Sequence, residues 1–189
     1  IPTYPEAAFP DQADGEDLQS FGIQFMFDRQ GYNYLEIYPV TGETDEDGNP
    51  VPKTIQLPGR VANLDLWVWG SNYNYYLEVH ILDNDGRVHV LDLGDLDYMG
   101  WKNLTTDIPT YIDQSIQYAP QRRGLELIKL VVWTRPTERV ADFYSGEVQP
   151  IYLYIDQLKI FTDQFETPYD GSDLAQDIDY IQELWANGE

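Results

Sequence analysis

The chain of 189 residues contains no cysteine, so neither disulfides nor thiol chemistry contribute to its fold or function. It has only two histidines, and eleven lysines and arginines stand against 33 aspartates and glutamates, which gives a formal net charge of -22. This shortage of cations argues against nucleic acid and anionic membranes as partners, because both are bound through clustered lysine and arginine. A basic protein partner, a cation or simple solubility remain as explanations of the acidity, and solubility is the simplest.

Long apolar runs are also missing. No stretch approaches the roughly 18 apolar residues of a transmembrane helix, which argues against membrane insertion. The chain begins with Ile1-Pro2 rather than Met, which is compatible with a signal peptide removed on export or with a trimmed chain. Aromatic residues, in contrast, make up 14% of the chain. Length and aromatic content together predict one folded domain with a substantial core.

Alternation of apolar and polar residues with a period of two predicts β-strands through most of the chain. In residues 61–69, Leu66 and Val68 fall on one face and Trp67 and Trp69 on the other. Further strands are predicted at residues 21–27, 32–38, 75–82, 88–93, 125–133 and 150–161. The uniformly apolar stretch among them, residues 125–133, is typical of a central strand. Many strands with short turns predict an antiparallel β-sandwich of jelly-roll type, with an up-and-down barrel as the alternative.

The two ends of the chain differ from its middle. Residues 1–20, rich in proline and acids, are predicted to form an extended acidic N-terminal arm, and residues 21–165 the β-sandwich domain. In residues 166–189, apolar side chains recur at helical spacing and include Ile181 and Trp185. This pattern predicts a C-terminal acidic segment with an amphipathic α-helix.

The two histidines belong to a predicted hairpin. Asp85-Gly86 favours a two-residue type I′ turn between residues 75–82 and 88–93. In that register His80 and His89 are diagonal neighbours on the outer face of the hairpin. A zinc site would need two further ligands. The sequence offers no cysteine and no third histidine, so two surface histidines are the favoured interpretation.

Motifs for catalysis are absent. The Gly-x-Ser-x-Gly sequence of a nucleophile elbow does not occur. A pair of carboxylates can hydrolyse glycosides, but with so many acids no particular pair is indicated. We therefore expect no enzymatic activity and no bound cofactor.

Two acidic positions are candidates for a cation. In residues 44–50, Asp45 and Asp47 alternate as the ligands of an EF-hand do. The glycine and the terminal glutamate of that motif are out of place, so a plain acidic turn is favoured over a weak cation site. Asp156, on the last predicted strand, is a candidate ligand for a structural calcium.

Trp67 and Trp69 would point away from the apolar face of their strand and form a flat pair of indoles. Burial in a strand covered on both sides, a protein interface and a carbohydrate platform are all open explanations. Tyr73 follows shortly after and would extend an aromatic rim.

The stretch GWKNLTTDIPTYIDQ, residues 100–114, follows neither the period of a strand nor that of a helix, and Asn103 begins a formal glycosylation sequon. It resembles a signature of the FlaA family, the outer-layer or sheath proteins of spirochaete periplasmic flagellar filaments. LELIKLVVWTRPTERVADFY (125–144) is similar to a strand and Thr-x-Pro turn of that family. IYLYIDQLKIFTDQFETPYDGSDL (151–174) is similar to its final strand and the Tyr-Asp-Gly that follows.

The resemblance implies an exported periplasmic protein that coats a filament with a flagellin core and has no catalytic residues. It implies core flagellins and other sheath proteins as partners, in contacts that set filament stiffness or curvature for motility. The candidate contact residues are Trp67, Trp69, Tyr73, Trp101, Lys102, Ile181 and Trp185. The alternative function is that of a carbohydrate-binding jelly-roll module with an exposed aromatic platform.

Overall fold

The computed structural model describes residues 20–27, 29–114, 124–137 and 150–163. The strands in these ranges are β1 (Phe21–Phe25), β2 (Tyr34–Ile37), β3 (Val40–Thr44), β4 (Pro50–Pro52), β5 (Ile55–Gln56), β6 (Val61–Ser71), β7 (Tyr75–Leu82), β8 (Val88–Asp95), β9 (Met99–Asp107), β10 (Glu126–Thr134) and β11 (Ile151–Thr162). The described residues contain no helix, and therefore none long and apolar enough to cross a membrane. The predicted N-terminal arm, except residue 20, and the predicted C-terminal helix with Ile181 and Trp185 lie outside them.

Two antiparallel sheets pack face to face. A four-stranded sheet has the order β1-β11-β6-β9. A five-stranded sheet has the order β2-β10-β7-β8, with β5 also paired to β10. A small hairpin, β3-β4, stands beside them. The predicted β-sandwich is confirmed, and the barrel alternative is wrong because most pairs join strands that are distant in sequence.

The core consists of the inward-facing residues of both sheets. On β6, Leu66 and Val68 are fully buried, and Leu77 and Val79 of β7 are buried against them from the other sheet. Burying one such side chain stabilises the fold by about 1.5–3 kcal/mol. The period-two alternation is therefore what orients each strand. The apolar stretch that was predicted as a central strand is β10, which pairs with β2 on one side and β7 on the other.

The stretch from Met99 to Asp107 is a strand, β9, which corrects the expectation that residues 100–114 would be irregular. β9 is one of the two edge strands of its sheet. The alternation was obscured because Leu104 is buried opposite Leu66, whereas Lys102 on the same side of the strand is exposed. The strand ends just before Pro109, as expected of a residue that cannot donate to the ladder.

The register of the β7–β8 hairpin differs from the prediction by one residue. Asp83 N–H donates to the carbonyl of Arg87 at 2.9 Å, which encloses a three-residue loop with Gly86 at φ +81°. Ile81 is therefore paired with His89. The two imidazoles fall on opposite faces, so the prediction that they are neighbours was wrong. In this register Val88 and Val90 are exposed.

His89 instead belongs to a polar cluster around Asp83, whose side chain is buried. One carboxylate oxygen of Asp83 lies 2.7 Å from His89 Nε2, and the other accepts the backbone N–H groups of Asp85 and Arg87. Burial alone would raise the pKa of Asp83, but these hydrogen bonds outweigh it and hold the pKa below its ordinary value. The carboxylate thus fixes the hairpin turn.

The acidic loop between β3 and β4 is a tight turn. Asp45 Oδ1 accepts the N–H groups of Asp47 and Asn49 at 3.0 and 2.8 Å. These bonds, the one from Asn49 foremost, lower the pKa of the Asp45 carboxyl. The favoured interpretation as an acidic turn agrees with this use of the carboxylate.

Replacing Asp83 with Asn is expected to lower the free energy of unfolding near neutral pH by about 1–3 kcal/mol, because the buried charge-assisted bonds are lost. The folded-state pKa of Asp83 is lowered, so its contribution is present above the ordinary aspartate pKa and is lost as the pH falls through the folded value. The difference between wild type and variant should therefore shrink in acid. Urea unfolding at several pH values measures it, with the exposed-loop variant Asp47→Asn as the control. Equal unfolding midpoints for wild type and Asp83→Asn near neutral pH would contradict the account.

Candidate functional site

The outer face of the four-stranded sheet carries a row of aromatic side chains. Because Leu66 and Val68 of β6 face the core, Trp67 and Trp69 must face outward. Both tryptophans are partly buried. They are not core residues of the sandwich, which removes one of the three explanations that the sequence left open.

Trp69 is the centre of this row. On one side it is paired in register with Trp101 of β9, and on the other with Tyr154 of β11. The rings of Trp69 and Tyr154 meet edge to face, with centroids 5.6 Å apart. Cross-strand aromatic pairs of this kind stabilise a sheet and fix the ring positions.

Gly22 of β1 completes the row on the far side of Tyr154. A β-carbon at Gly22 would lie 3.0 Å from the Tyr154 ring. The absence of a side chain therefore lets this ring lie over the edge strand.

The next row of side chains on this outer face is also uncharged. Tyr152 and Met99 are exposed, at 42% and 68%, and Ser71 between them donates a hydrogen bond to the carbonyl of Tyr152. Gln24 is paired with Tyr152 on the other side. We call the set formed by Met99, Trp101, Trp69, Trp67, Tyr154 and Tyr152 the aromatic face. The aromatic face carries no charge, although the chain has a net charge of -22. Its neighbours Gly22, Gln24 and Ser71 are uncharged as well.

Charged residues begin at one end of the aromatic face. Asp156 is paired with Trp67, and farther along Lys159 is paired with Asp65. Asp65 accepts a hydrogen bond from Asn103, the residue opposite Trp67 on β9. An uncharged aromatic centre with a polar rim on one side is the composition of a protein interface.

Asp156, the candidate calcium ligand, accepts the N–H of Gln157 at 2.6 Å in a bulge of β11. The described residues contain no group of three or more histidine, aspartate or glutamate side chains that could hold a metal ion. Calcium also uses backbone carbonyls, so binding through Asp156 stays a prediction.

The structure does not bring Tyr73 and Lys102 to the aromatic face. Tyr73 is stacked on the buried Tyr75, with ring centroids 5.4 Å apart, at the end of the core. The ammonium group of Lys102 lies 5.2 Å from the ring centroid of Tyr98. Burial raises the pKa of Tyr98, whose hydroxyl donates to the carbonyl of Val68.

Three members of the aromatic face were missed by the sequence analysis: Tyr152, Tyr154 and Met99. Alternation along β11 would have placed both tyrosines outside, since Leu153 and Ile155 are apolar. Their position beside Trp69 depends on the pairing of β11 with β6, which alternation does not reveal.

The small cavity near this face is not a binding pocket for a sugar. It is lined by Phe25, Tyr73, Tyr75 and neighbouring backbone, and its volume of about 10 Å³ has room for about one water molecule. The aromatic face is therefore the stronger candidate for recognition.

Sequence comparison finds one family. The chain matches the profile of the flagellar filament outer layer protein FlaA over residues 6–169. It is 26% identical, over 163 residues, to a flagellar filament outer layer-like protein of Brachyspira hyodysenteriae. That alignment covers 85% of this chain and 66% of the relative, so the chain spans slightly less than two thirds of the relative's length.

Two solved structures have a similar arrangement of strands. One is TmCBM61 in complex with beta-1,4-galactotriose, with a TM-score of 0.40 and 12% identity, covering 76% of this chain and 70% of that one. The other is from carbohydrate-binding modules of the β-sandwich superfamily, with a TM-score of 0.37 and 8% identity, covering 76% of this chain and 56% of that one. At these scores neither says anything about a ligand of this chain.

Gly22→Ala is expected to displace the Tyr154 ring, because the new β-carbon would meet it at 3.0 Å. Because Gly22 is exposed and the Tyr154 ring is only partly buried, the ring can shift, and the free energy of unfolding is expected to change by no more than about 1 kcal/mol. The tryptophan emission spectrum should change as well, since Trp69 loses its edge contact. Gln24→Ala, on the same strand and face, is the control and should leave the spectrum unchanged. An unaltered spectrum and stability in Gly22→Ala would show that the ring is not held as described.

Proposed function

Since the chain belongs to the flagellar filament outer layer protein FlaA family, we propose that it is a structural component of the outer layer, or sheath, of a spirochaete periplasmic flagellar filament. It acts in the periplasm, on the filament, and has no catalytic role. The observation that supports this most is an uncharged aromatic face on a strongly acidic chain.

The aromatic face is the surface that contacts the flagellin core. Its rings can be removed from water without desolvating a charge, which is the costly step for the rest of this surface. Burial of partly exposed tryptophan and tyrosine supplies the affinity, since such residues are the usual hot spots of protein interfaces. Asp65, Asp156 and Lys159 at the rim influence the association rate and orientation more than the affinity.

Neighbouring sheath proteins are the second class of partner. The edge strands β9 and β1 border the aromatic face, so a neighbour beside either edge would extend the same contact along the filament. A layer attached to part of the circumference stiffens that side of the core. Uneven coverage would thereby curve the filament, which is how the protein would influence motility.

The carbohydrate-binding alternative has less support on this face. Trp67 and Trp69 are partly buried, and Trp69 is held edge to face by Tyr154, so they are not two freely exposed indoles. The described residues paired with Trp69, namely Trp101 and Tyr154, are uncharged and offer no ionised group for hydrogen bonds to sugar hydroxyls. We therefore assign this face to protein contact.

Met99→Glu is expected to weaken binding to the filament at least about tenfold, because it puts an unpaired charge into an uncharged interface. Co-sedimentation with filaments purified from cells lacking this protein measures the effect. Val40→Glu adds the same charge at another exposed apolar position, outside both sheets, and is expected to bind as the wild type does. Equal pelleting of Met99→Glu and wild type would remove the aromatic face from the contact.

Cells that lack the protein should build filaments that are thinner or less curved, because part of the outer layer is missing. Electron cryotomography measures filament diameter and curvature in such cells, and swimming speed reports the consequence for motility. Complementation with Val40→Glu should restore the wild-type values. Filaments of unchanged diameter and curvature, in cells that swim normally, would count against a structural role in the outer layer.

A further inference from the structure

The outer face of the five-stranded sheet, on the opposite side of the sandwich, combines aromatic rings with ionised groups. Trp133 of β10 is paired in register with Tyr34 of β2 and with Tyr76 of β7. The rings of Tyr34 and Trp133 are 5.1 Å apart. Tyr34 and Tyr32 are 58% and 62% exposed, so their rings are open to a ligand. We call Tyr32, Tyr34, Trp133 and Tyr76 the tyrosine platform.

Charged side chains hold the platform in place. Trp133 Nε1 donates to Glu78 Oε2 at 2.8 Å. The guanidinium of Arg135 lies 5.2 Å from the ring centroid of Tyr76 and is ion-paired with Asp95. Burial raises the pKa of Tyr76, and the Glu78 carboxylate and Tyr32 raise it further, so its hydroxyl is a neutral donor near neutral pH.

A second polar group lies next to the platform. Lys129 forms an ion pair with Glu36, donates to the Tyr38 hydroxyl at 3.1 Å and lies 5.2 Å from the centroid of that ring. The hydrogen bond between Lys129 and Glu36 lowers the pKa of Glu36 and raises that of Lys129, so both are ionised near neutral pH. Val131, between the two groups, is only 1% exposed although it is not part of the sandwich core. The side chains around it therefore form an ordered layer over the sheet.

This chemistry differs from that of the aromatic face. Ionised groups at the centre of a contact are unfavourable for a protein interface. They suit a ligand that is rich in hydroxyls, because charge-assisted hydrogen bonds are strong. Among the residues that the structure describes beside the platform, Lys129 and Arg135 are each paired with a carboxylate, and His80 lies 3.5 Å from Glu78. These pairings reduce the attraction of this face for an anionic ligand.

From these contacts we propose that the tyrosine platform binds a neutral oligosaccharide. A sugar ring has apolar C–H groups on its faces and hydroxyls at its edge. Its face would lie on the rings of Tyr34 and Trp133, and its hydroxyls would bond with Glu78, Asp95 and Arg135. Immobilised rings lower the entropic cost of binding. The site is separate from the aromatic face and does not depend on the filament contact.

The test uses the full chain with cellohexaose, mannohexaose and chitohexaose as neutral probes and hexagalacturonic acid as the anionic one, in calorimetry and tryptophan fluorescence. At least one neutral probe is expected to bind and to change the fluorescence, and hexagalacturonic acid is not. Tyr34→Ala should weaken binding at least about tenfold, as loss of a central aromatic contact does. Tyr34→Phe keeps the ring and should retain binding. Tyr111→Ala removes an equally accessible ring elsewhere, 77% exposed, and is the control.

The proposal is overturned if no neutral probe binds at millimolar concentration, or if Tyr34→Ala binds as tightly as Tyr111→Ala. Preference for hexagalacturonic acid would also overturn it. Loss of filament co-sedimentation in Tyr34→Ala, without binding of any probe, would assign the platform to a protein partner instead. The filament contact is tested separately, by co-sedimentation of Met99→Glu, so its failure can be told apart from failure of oligosaccharide binding.

Discussion

Both the core and the aromatic face depend on one constraint, the register in which β6 pairs with β11 and β9. Leu64, Leu66 and Val68 of β6 are completely buried, and a slip of one residue would exchange them with the outward-facing side chains. The apolar burial that fixes the fold therefore also fixes Trp67 and Trp69 on the outside. Pairing with the two neighbouring strands then places Tyr154 and Trp101 on either side of Trp69, so the aromatic face is a consequence of the core.

The acidity of the chain determines which partners each of the two outer faces can contact. With a net charge of -22, most of the surface resists close contact with another acidic protein. The aromatic face avoids this cost because it has no charge, whereas beside the tyrosine platform Lys129 and Arg135 are ion-paired with Glu36 and Asp95. One face is suited to a dry protein contact and the other to a polar, uncharged ligand. A sandwich with both would hold the filament on one side and present a separate binding surface on the other.

Alternation predicted the long strands of both sheets, including the edge strands β1, β2 and β8, because burial of one face imposes a regular pattern. It failed for β9, where the charged and exposed Lys102 on the core-facing side breaks the pattern. The hairpin register failed because Asp85-Gly86 fits loops of two and of three residues, and the choice depends on the buried Asp83 carboxylate. Trp67 and Trp69 were found by alternation, whereas Trp101 entered through the family resemblance. Tyr154 and Met99 were missed, since their proximity to Trp69 depends on pairing between distant strands.

The central claim is that the aromatic face contacts other filament proteins. A density map of intact filaments, from electron cryotomography with subtomogram averaging, tests it most directly once the sandwich is fitted into the outer layer. The account predicts that the surface around Trp69 and Met99 faces the flagellin core, or density continuous with it. A fit in which this surface points to open solvent, with the sandwich attached through another face, would contradict it.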